Sequence, residues 1–306
     1  MPKPTLKRGS SEKEAVIEMQ TLLNTRGGKV GVDGDFGGGS EKALNTIKAS
    51  LGLPEDGTCD QATWDALPRS LYSQDSKWRA MPLEPSTKVS GSKSSVVDGW
   101  NDYGNLLEAL SNEMGFTPAA AVAVLAVESG GQGFWDGRMV IRFENHIFNR
   151  WGKNHTKVFA DHFKMNSSEQ WKDHFWRADP NDPWRPLHTK EAGQPEEYAV
   201  LAFARLLDDT AALNSISMGA PQIMGFNSEK IGFATVQDMF ESFSKDIYGH
   251  ILGLFDFIES DYRMVQALRK GDWRGFAYVY NGSGQADYYG GKIGENVDYA
   301  KSIGIS

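Results

Sequence analysis

Apolar positions recur at helical spacing through most of the chain beyond residue 98. In "WNDYGNLLEALSNEMGF", Leu106, Leu107 and Leu110 share one face, and Gly115 is placed to stop the helix. "TPAAAVAVLAVE" begins with Thr117 as N-cap and Pro118 at the first helical position. It is apolar all round, which predicts a central buried helix. "PEEYAVLAFARLLDDTAAL" brings Ala199, Phe203, Leu206 and Leu207 together. "ATVQDMFESFSKDIYGHILGLFDFIES" keeps Val236, Phe240, Phe243, Ile247, Ile251, Leu254 and Ile258 in one helical phase. "RMVIRFENHIF" alternates instead, which predicts a strand or hairpin arm. The fold class is therefore mainly α, with a small β element in the larger part.

The first 70 residues have their own pattern. "DGDFGGGSEKAL" from Asp33 and "DGTCDQATWDAL" from Asp56 form an imperfect repeat, each a tight Asp-Gly turn, a cap and a short helix. Ahead of them, Ser11 and Glu14 have the spacing of a capping box, and Val16, Met19 and Leu23 share a helical face. Three short helices are expected. From Gln74 to Asp98 serine, lysine, proline and glycine dominate without helical periodicity, a linker signature. The expected division is a small domain at 1–70, a linker at 71–97 and a larger domain at 98–306.

Composition narrows the function classes. Of 306 residues, 40% are hydrophobic and 11% aromatic, enough for a sizeable core. The net charge of −8 argues against coating nucleic acid or an anionic membrane, because the phosphate-neutralising contribution is missing. The single cysteine, Cys59, allows no intrachain disulfide, and its acidic neighbours in "DGTCDQ" oppose thiolate formation. The basic N-terminus lacks the apolar segment of a secretory signal, and no stretch approaches the ~20 apolar residues that span a bilayer. The expectation is synthesis in the cytoplasm, as a monomer without stable membrane insertion. No Gly-rich phosphate loop or parallel βαβ pattern is present, which argues against a nucleotide enzyme.

One carboxylate stands out. Glu128 ends the apolar run Ala119–Val127 and is followed by Ser-Gly-Gly. The negative end of a helix and burial both disfavour its anion. A carboxylic acid that keeps its proton near neutrality can protonate a leaving-group oxygen. Gly130 and Gly131 would end the helix and leave room for a polymer. Glycoside hydrolysis needs such an acid and a second polar group on the other face of the sugar. Glu144 in "RFENHIF" offers one, with Asp136 and His146 as weaker candidates. The structural alternative is a helix-end glutamate paired with Arg138 or Arg142.

The motif "VDGDFGGGSEKAL…LGLPEDGTCDQATWDAL" resembles the helical peptidoglycan-binding module of cell-wall hydrolases, over residues 8–68. That resemblance places Asp33, Asp35 and Phe36 near a wall-binding groove, against the alternative that Phe36 packs inside. "AAAVAVLAVESGGQGFWDGRMVIRFENHIF", "MGAPQIMGFN" and "ALRKGDWRGFAYVYNGSGQADYYGGKI" resemble the muramidase domain of modular phage endolysins, which is lysozyme-like and cuts the β-1,4 bond between N-acetylmuramic acid and N-acetylglucosamine. It implies Glu128 as the catalytic acid and Glu144 as the second active-site carboxylate. The chain departs from the family at Gly130 and Asn145, where arginine is usual. Gln222, Asn227, Tyr280, Asn281 and His146 are candidate substrate contacts: amides and aromatic faces suit a sugar's polar rim and apolar faces. The structural alternatives are a turn-holding amide for Gln222 and core packing for Tyr280.

The resemblance implies peptidoglycan glycan strands as partner, no cofactor, and release to the wall through a holin-type pore. His155, His162, His174 and His188 fall in one stretch, but no His-Glu-x-x-His and no cysteine pair accompanies them, so no metal is expected. The aromatic residues among them suit the rim of a glycan cleft. Two other readings are a non-catalytic wall-binding or phage structural protein and a lytic transglycosylase.

Overall fold

The computed structural model describes residues 3–67, 71–129 and 132–306. They group into two compact units, one formed by Met1–Val127, Lys230–Gly232 and Leu252–Ser306, the other by Glu128–Glu229 and Phe233–Ile251.

In the first unit, helices Lys13–Thr25, Gly38–Ser50 and Gln61–Ala66 enclose a small core that includes Val16, Met19, Leu23, Phe36, Leu44 and Trp64. The repeat is physical. Gly34 and Gly57 both turn at positive φ (76° and 70°), and the preceding Asp33 and Asp56 each accept the N–H two residues on, at 2.9 and 3.0 Å. The expected Ser11–Glu14 capping box does not form: the helix starts after Glu12 with no side-chain cap. Cys59 is buried and paired through its backbone with Leu6; burial pushes its thiol up to about 12.

The segment read as a linker is packed. Tyr72–Gln74 forms a 3-10 turn and Ser76–Arg79 a short helix, with Tyr72 and Trp78 buried edge to face. The backbone N–H groups of Tyr72 and Ser73 donate to the Asp256 carboxylate at 2.6 and 3.1 Å. Farther on, the indole N–H of Trp100 donates to Thr87 O, and Asn101 exchanges two hydrogen bonds with the Val89 backbone. Helix Ser94–Met114 thus begins inside the expected linker. It ends at Gly115 in the left-handed conformation, as its sequence predicts. Thr117 caps the following helix, Pro118–Ser129, whose residues Ala119–Ala126 are buried. Three C-terminal helices, Tyr262–Lys270, Trp273–Tyr280 and Ala286–Ser302, complete this unit.

The second unit carries the β structure. Strand Ile141–Phe143 pairs antiparallel with Ile216–Met218, which pairs with Ile223–Met224. Phe134–Trp135 and Arg138–Met139 form a hairpin, and Phe163–Lys164, Phe175–Trp176 and Arg185–Pro186 a third small sheet. Two expected helices are each broken. Asp208 interrupts one, giving Gly193–Leu207 and Asp209–Asn214, and its side chain caps the second piece. The buried face is Glu197, Val200, Leu201 and Ala204, and Leu206 is 86% exposed, so the inward phase expected from Leu206 is corrected. Asp246, extended at φ −161°, separates Val236–Lys245 from Ile247–Glu259. Gly249 permits that bend, because a Cβ there would lie 2.7 Å from the Ser242 carbonyl oxygen. Among the described residues no single helix is long and apolar enough to cross a membrane.

Candidate active site

Glu144 stands where strand Ile141–Phe143 passes into helix Asn145–Gly152. Its N–H donates to Ser215 O at 2.8 Å, and its carbonyl accepts from Ile147 and Phe148. The side chain does not cap the helix. Alternation along the strand buries Ile141 and Phe143 and turns Arg142 outward, so Arg142 and Glu144, two apart, share a face. Arg142 Nε donates to Glu144 Oε1 at 2.7 Å. The other oxygen, Oε2, faces two imidazoles, with His146 Nδ1 at 3.3 Å and His174 Nδ1 at 3.4 Å.

The carboxylate is 13% exposed. Burial pushes it up, but His146, Arg142 and His188 together outweigh that and hold it at about 2. The neighbours respond to burial in the opposite sense. His188 is depressed to about 4 by burial, with Arg142 adding to it, and burial also lowers His174. Glu197, behind the strand, accepts from Phe143 N–H at 2.7 Å and His188 N–H at 3.3 Å, yet burial raises it to about 7. The acidities of these two carboxyl groups are thus shifted in opposite directions.

The histidines sort into two groups. His155 stacks on Trp151 and His162 contacts the Arg177 carbonyl, both away from Glu144. His174 and His188 sit beside it, their rings 4.8 Å apart. One ligand atom from each of Glu144, His174 and His188 falls within 4.8 Å of the others, so this trio has the spacing to hold a cation. Buried Asn145 ties the site to the third sheet, donating to Lys164 O and Phe175 O at 2.9 and 2.8 Å.

Glu128 is half-buried at the C-terminal end of its helix; Gly130 and Gly131, expected to open the space beside it, lie outside the described residues. Of the two arginines considered as its partners, Arg142 is bonded to Glu144 and Arg138 lies over the Tyr198 ring at 5.2 Å. Asp136 is a hairpin turn residue at φ 48°, a structural role. Gln222, also at positive φ, accepts from Ser217 Oγ and donates to Gly219 O, both at 2.8 Å. Its amide holds the turn, the structural alternative considered for it. Asn227 ends the 3-10 turn that carries Phe226, and Phe226 and Trp151 line a 350 Å³ cleft that also includes Ser215, the residue bonded to the Glu144 backbone. Tyr280 and Asn281 belong to the other unit, where Tyr280 packs on Phe276 and Phe257.

Asp33 and Asp35 of the small module line a 620 Å³ cleft with Lys29, Lys42 and Ser40, closed on one side by Lys230, Ser260 and Asp261 of the same unit. Phe36 does not reach it: the ring is fully buried in the module's core, so its wall-binding assignment is corrected. Buried Gln20 shapes the cleft wall, accepting from the N–H groups of Asp33 and Gly34 and donating to Asp33, the Asp35 carbonyl and Ser40. Sequence reasoning missed Gln20 and Glu197. The available signal for each was a polar side chain on the apolar face of an amphipathic helix.

Residues 117–301 match the family model described as N-acetylmuramidase, and residues 12–67 match that of a putative peptidoglycan binding domain. The crystal structure of the Burkholderia AP3 phage endolysin is similar, at 27% identity and a TM-score of 0.51, covering 98% of this chain and 100% of that one. No curated protein matches the chain.

Proposed function

The chain belongs to the N-acetylmuramidase family, and from that premise we propose that it is a modular phage endolysin that lyses its host by hydrolysing the β-1,4 bond between N-acetylmuramic acid and N-acetylglucosamine. Peptidoglycan is its substrate. In this reading Glu128 protonates the glycosidic oxygen, and Glu144 stabilises the oxocarbenium-like transition state or directs the attacking water. The single observation that carries it is the setting of Glu144, an anion at any working pH, pinned by Arg142 on one oxygen and flanked by imidazoles on the other. Developing positive charge on a sugar ring is met by a fixed negative group that needs no reorganisation.

The division of labour between a wall-binding part, residues 1–70, and a catalytic part is itself proposed. Residues 1–70 hold the wall through the cleft with Asp33 and Asp35, raising the effective concentration of the catalytic part at its substrate. The enzyme acts as a monomer at the cell wall, after a second protein breaches the inner membrane. Phe226, 43% exposed at the mouth of the smaller cleft, supplies an apolar face on which a sugar ring stacks.

The test is product analysis on purified peptidoglycan. Wild type is expected to release reducing ends, and Glu128→Gln to lower the rate by about 10²–10⁴-fold, the usual contribution of general acid catalysis. Products lacking one water, as anhydro-muramic ends, would replace hydrolysis by a lytic transglycosylase reaction. Release of nothing by the folded wild type would leave only a non-catalytic wall-binding protein.

A further inference from the structure

The larger cleft has a wall that the small module does not supply. Lys230, Ser260 and Asp261 close it, and all three lie within the N-acetylmuramidase match and in the same compact unit as the module. That wall is fixed in place. Lys230 belongs to the 3-10 turn Glu229–Ile231, where Ile231 is fully buried and a Cβ on Gly232 would lie 3.0 Å from the Leu71 side chain. Its Nζ lies 4.7 Å over the Phe257 ring. The Asp261 carboxylate caps helix Tyr262–Lys270 and takes two bonds from the Arg263 guanidinium, at 3.0 and 2.6 Å. Arg26 bolts the module to this wall. Its guanidinium, 6% exposed, donates to Ala66 O and Leu67 O at 2.8 Å and stands 3.5 Å from the Glu259 carboxylate. A ligand in the cleft therefore touches both walls at once.

The lining selects the ligand's chemistry. Among the described residues no aromatic side chain lines this cleft, whereas Phe226 lines the smaller one. A sugar ring has no flat apolar face to stack on here. Instead Lys29, Lys42 and Lys230 stand with Asp33, Asp35 and Asp261 around one 620 Å³ space. Charges of both signs complement a short chain that carries ammonium and carboxylate groups together. Asp35 is exposed, and its carboxylate makes no hydrogen bond or ion pair among the described residues, which leaves it open to an ammonium. Bare backbone runs between the charges: Gly27 and Gly39 line the cleft, and a Cβ on either would meet nothing within 4 Å. An extended peptide can approach main chain that has no side chain in the way. We propose that this cleft binds the peptide stems of peptidoglycan, not its sugars, and that Lys230, supplied by the catalytic part, contacts a stem carboxylate. The identity of the polymer rests on the endolysin reading; the second wall and the charge pattern do not. Anchoring and cutting then address different parts of one polymer, and a bound stem leaves the glycan free for cleavage.

The experiment uses the full chain carrying Glu128→Gln, so that binding is read without turnover. Purified peptidoglycan treated with an amidase that cuts peptides from the glycan gives two probes, free stem peptides and peptide-free glycan strands. Calorimetry is expected to detect the stem peptides, and affinity for peptide-free strands to fall at least about 10-fold below that for intact wall. Lys230→Met keeps the side-chain stem over Phe257 and removes the charge. It should weaken stem-peptide binding about 10-fold, the size of one charge-assisted hydrogen bond, and Lys230→Arg should restore it. Lys301→Met, at an exposed position outside the cleft, should leave binding unchanged. Circular dichroism reports whether the variants fold. If Lys230→Met does not, a stem peptide carrying a photo-activated crosslinker decides, since attachment within the turn Glu229–Ile231 is required. Peptide-free strands that bind as tightly as intact wall would overturn the peptide assignment. Unchanged affinity in folded Lys230→Met, or crosslinks confined to residues 1–70, would overturn the second wall. Reducing-end release by wild type is a separate measurement, so this site and the catalytic proposal fail separately.

Discussion

Lowering the pH tests how the turn ahead of Gln222 is held. His250 is fully buried, with Nε2–H donated to Phe243 O at 2.7 Å and Nδ1 accepting from Ala220 N–H at 3.2 Å. Phe134 stacks on the ring at 4.8 Å, and a Cβ on Gly219 would lie 2.7 Å from it. Both nitrogens are satisfied only in the neutral form, since a proton on Nδ1 would set two donors face to face. Burial accordingly lowers this histidine to about 4 from 6.5. The unfolded chain takes up the proton first as pH falls. The stabilisation is complete above about pH 6.5 and is lost as pH drops through about 4. That interval corresponds to about 3 kcal/mol, of which about 2.5 is gone by pH ~4.5. His188 acts in the same direction and Glu197 in the opposite one, so the wild-type profile alone is not diagnostic. His250→Gln keeps an N–H donor and an oxygen acceptor without titrating. Urea melts at about pH 7.5 and about pH 4.5 should show wild type losing about 2.5 kcal/mol more than the variant. Parallel losses, within ~0.5 kcal/mol, would refute the reasoning, as would an NMR titration showing His250 protonated in the folded protein near pH 6.

Two further changes probe the first unit. Gln20→Leu removes the buried amide that satisfies Asp33 and Gly34, so it should cost about 1–3 kcal/mol and reduce peptidoglycan pull-down while glycan cleavage in soluble fragments persists; unchanged wall binding would detach the cleft from its assigned role. Asp256→Ala strips the acceptor from the Tyr72 and Ser73 amides and should cost about 3 kcal/mol or more, detected as faster tryptic cleavage at Lys77 and Arg79, and an unchanged digestion rate would contradict the packed state of that segment.

Local signals were read well where the cause was local. Thr117, Pro118 and Gly115 mark helix ends through their own backbone chemistry, and the two Asp-Gly turns repeat because each aspartate bonds the amide two residues ahead. The failures came from partners distant in sequence. Residues 71–97 read as a linker because Tyr72 and Trp78 are isolated aromatics in polar sequence, and what holds them, Phe255 and Asp256, lies some 180 residues on. The long apolar phase through Val236 and Ile258 concealed the break at Asp246, whose own carboxylate caps the second helix through Gly249 N–H at 3.1 Å. Glu144 was legible as a carboxylate in a recognisable block. Its cage was not, since His174 reaches it from the residue ahead of strand Phe175–Trp176, His188 from a loop and Glu197 from a helix.

That cage also bears on which carboxyl can be the proton donor. Glu197, raised to about 7, has the acidity a general acid needs. It lacks access: the residue is 4% exposed, and both oxygens accept backbone N–H groups, from Phe143 on one and His188 on the other. A sugar oxygen would have to displace a strand to reach it. Its acidity is a consequence of being buried behind Arg142 and Glu144, and its work is to hold the strand and the His188 loop in register. Glu144 has the opposite property, an anion that resists protonation until about pH 2, so it cannot give up a proton during turnover. A cleavage that needs both an acid and an anion must therefore draw its acid from outside this cluster, and Glu128, half-buried at a helix end in the same unit, is the carboxyl to which the proposal assigns it.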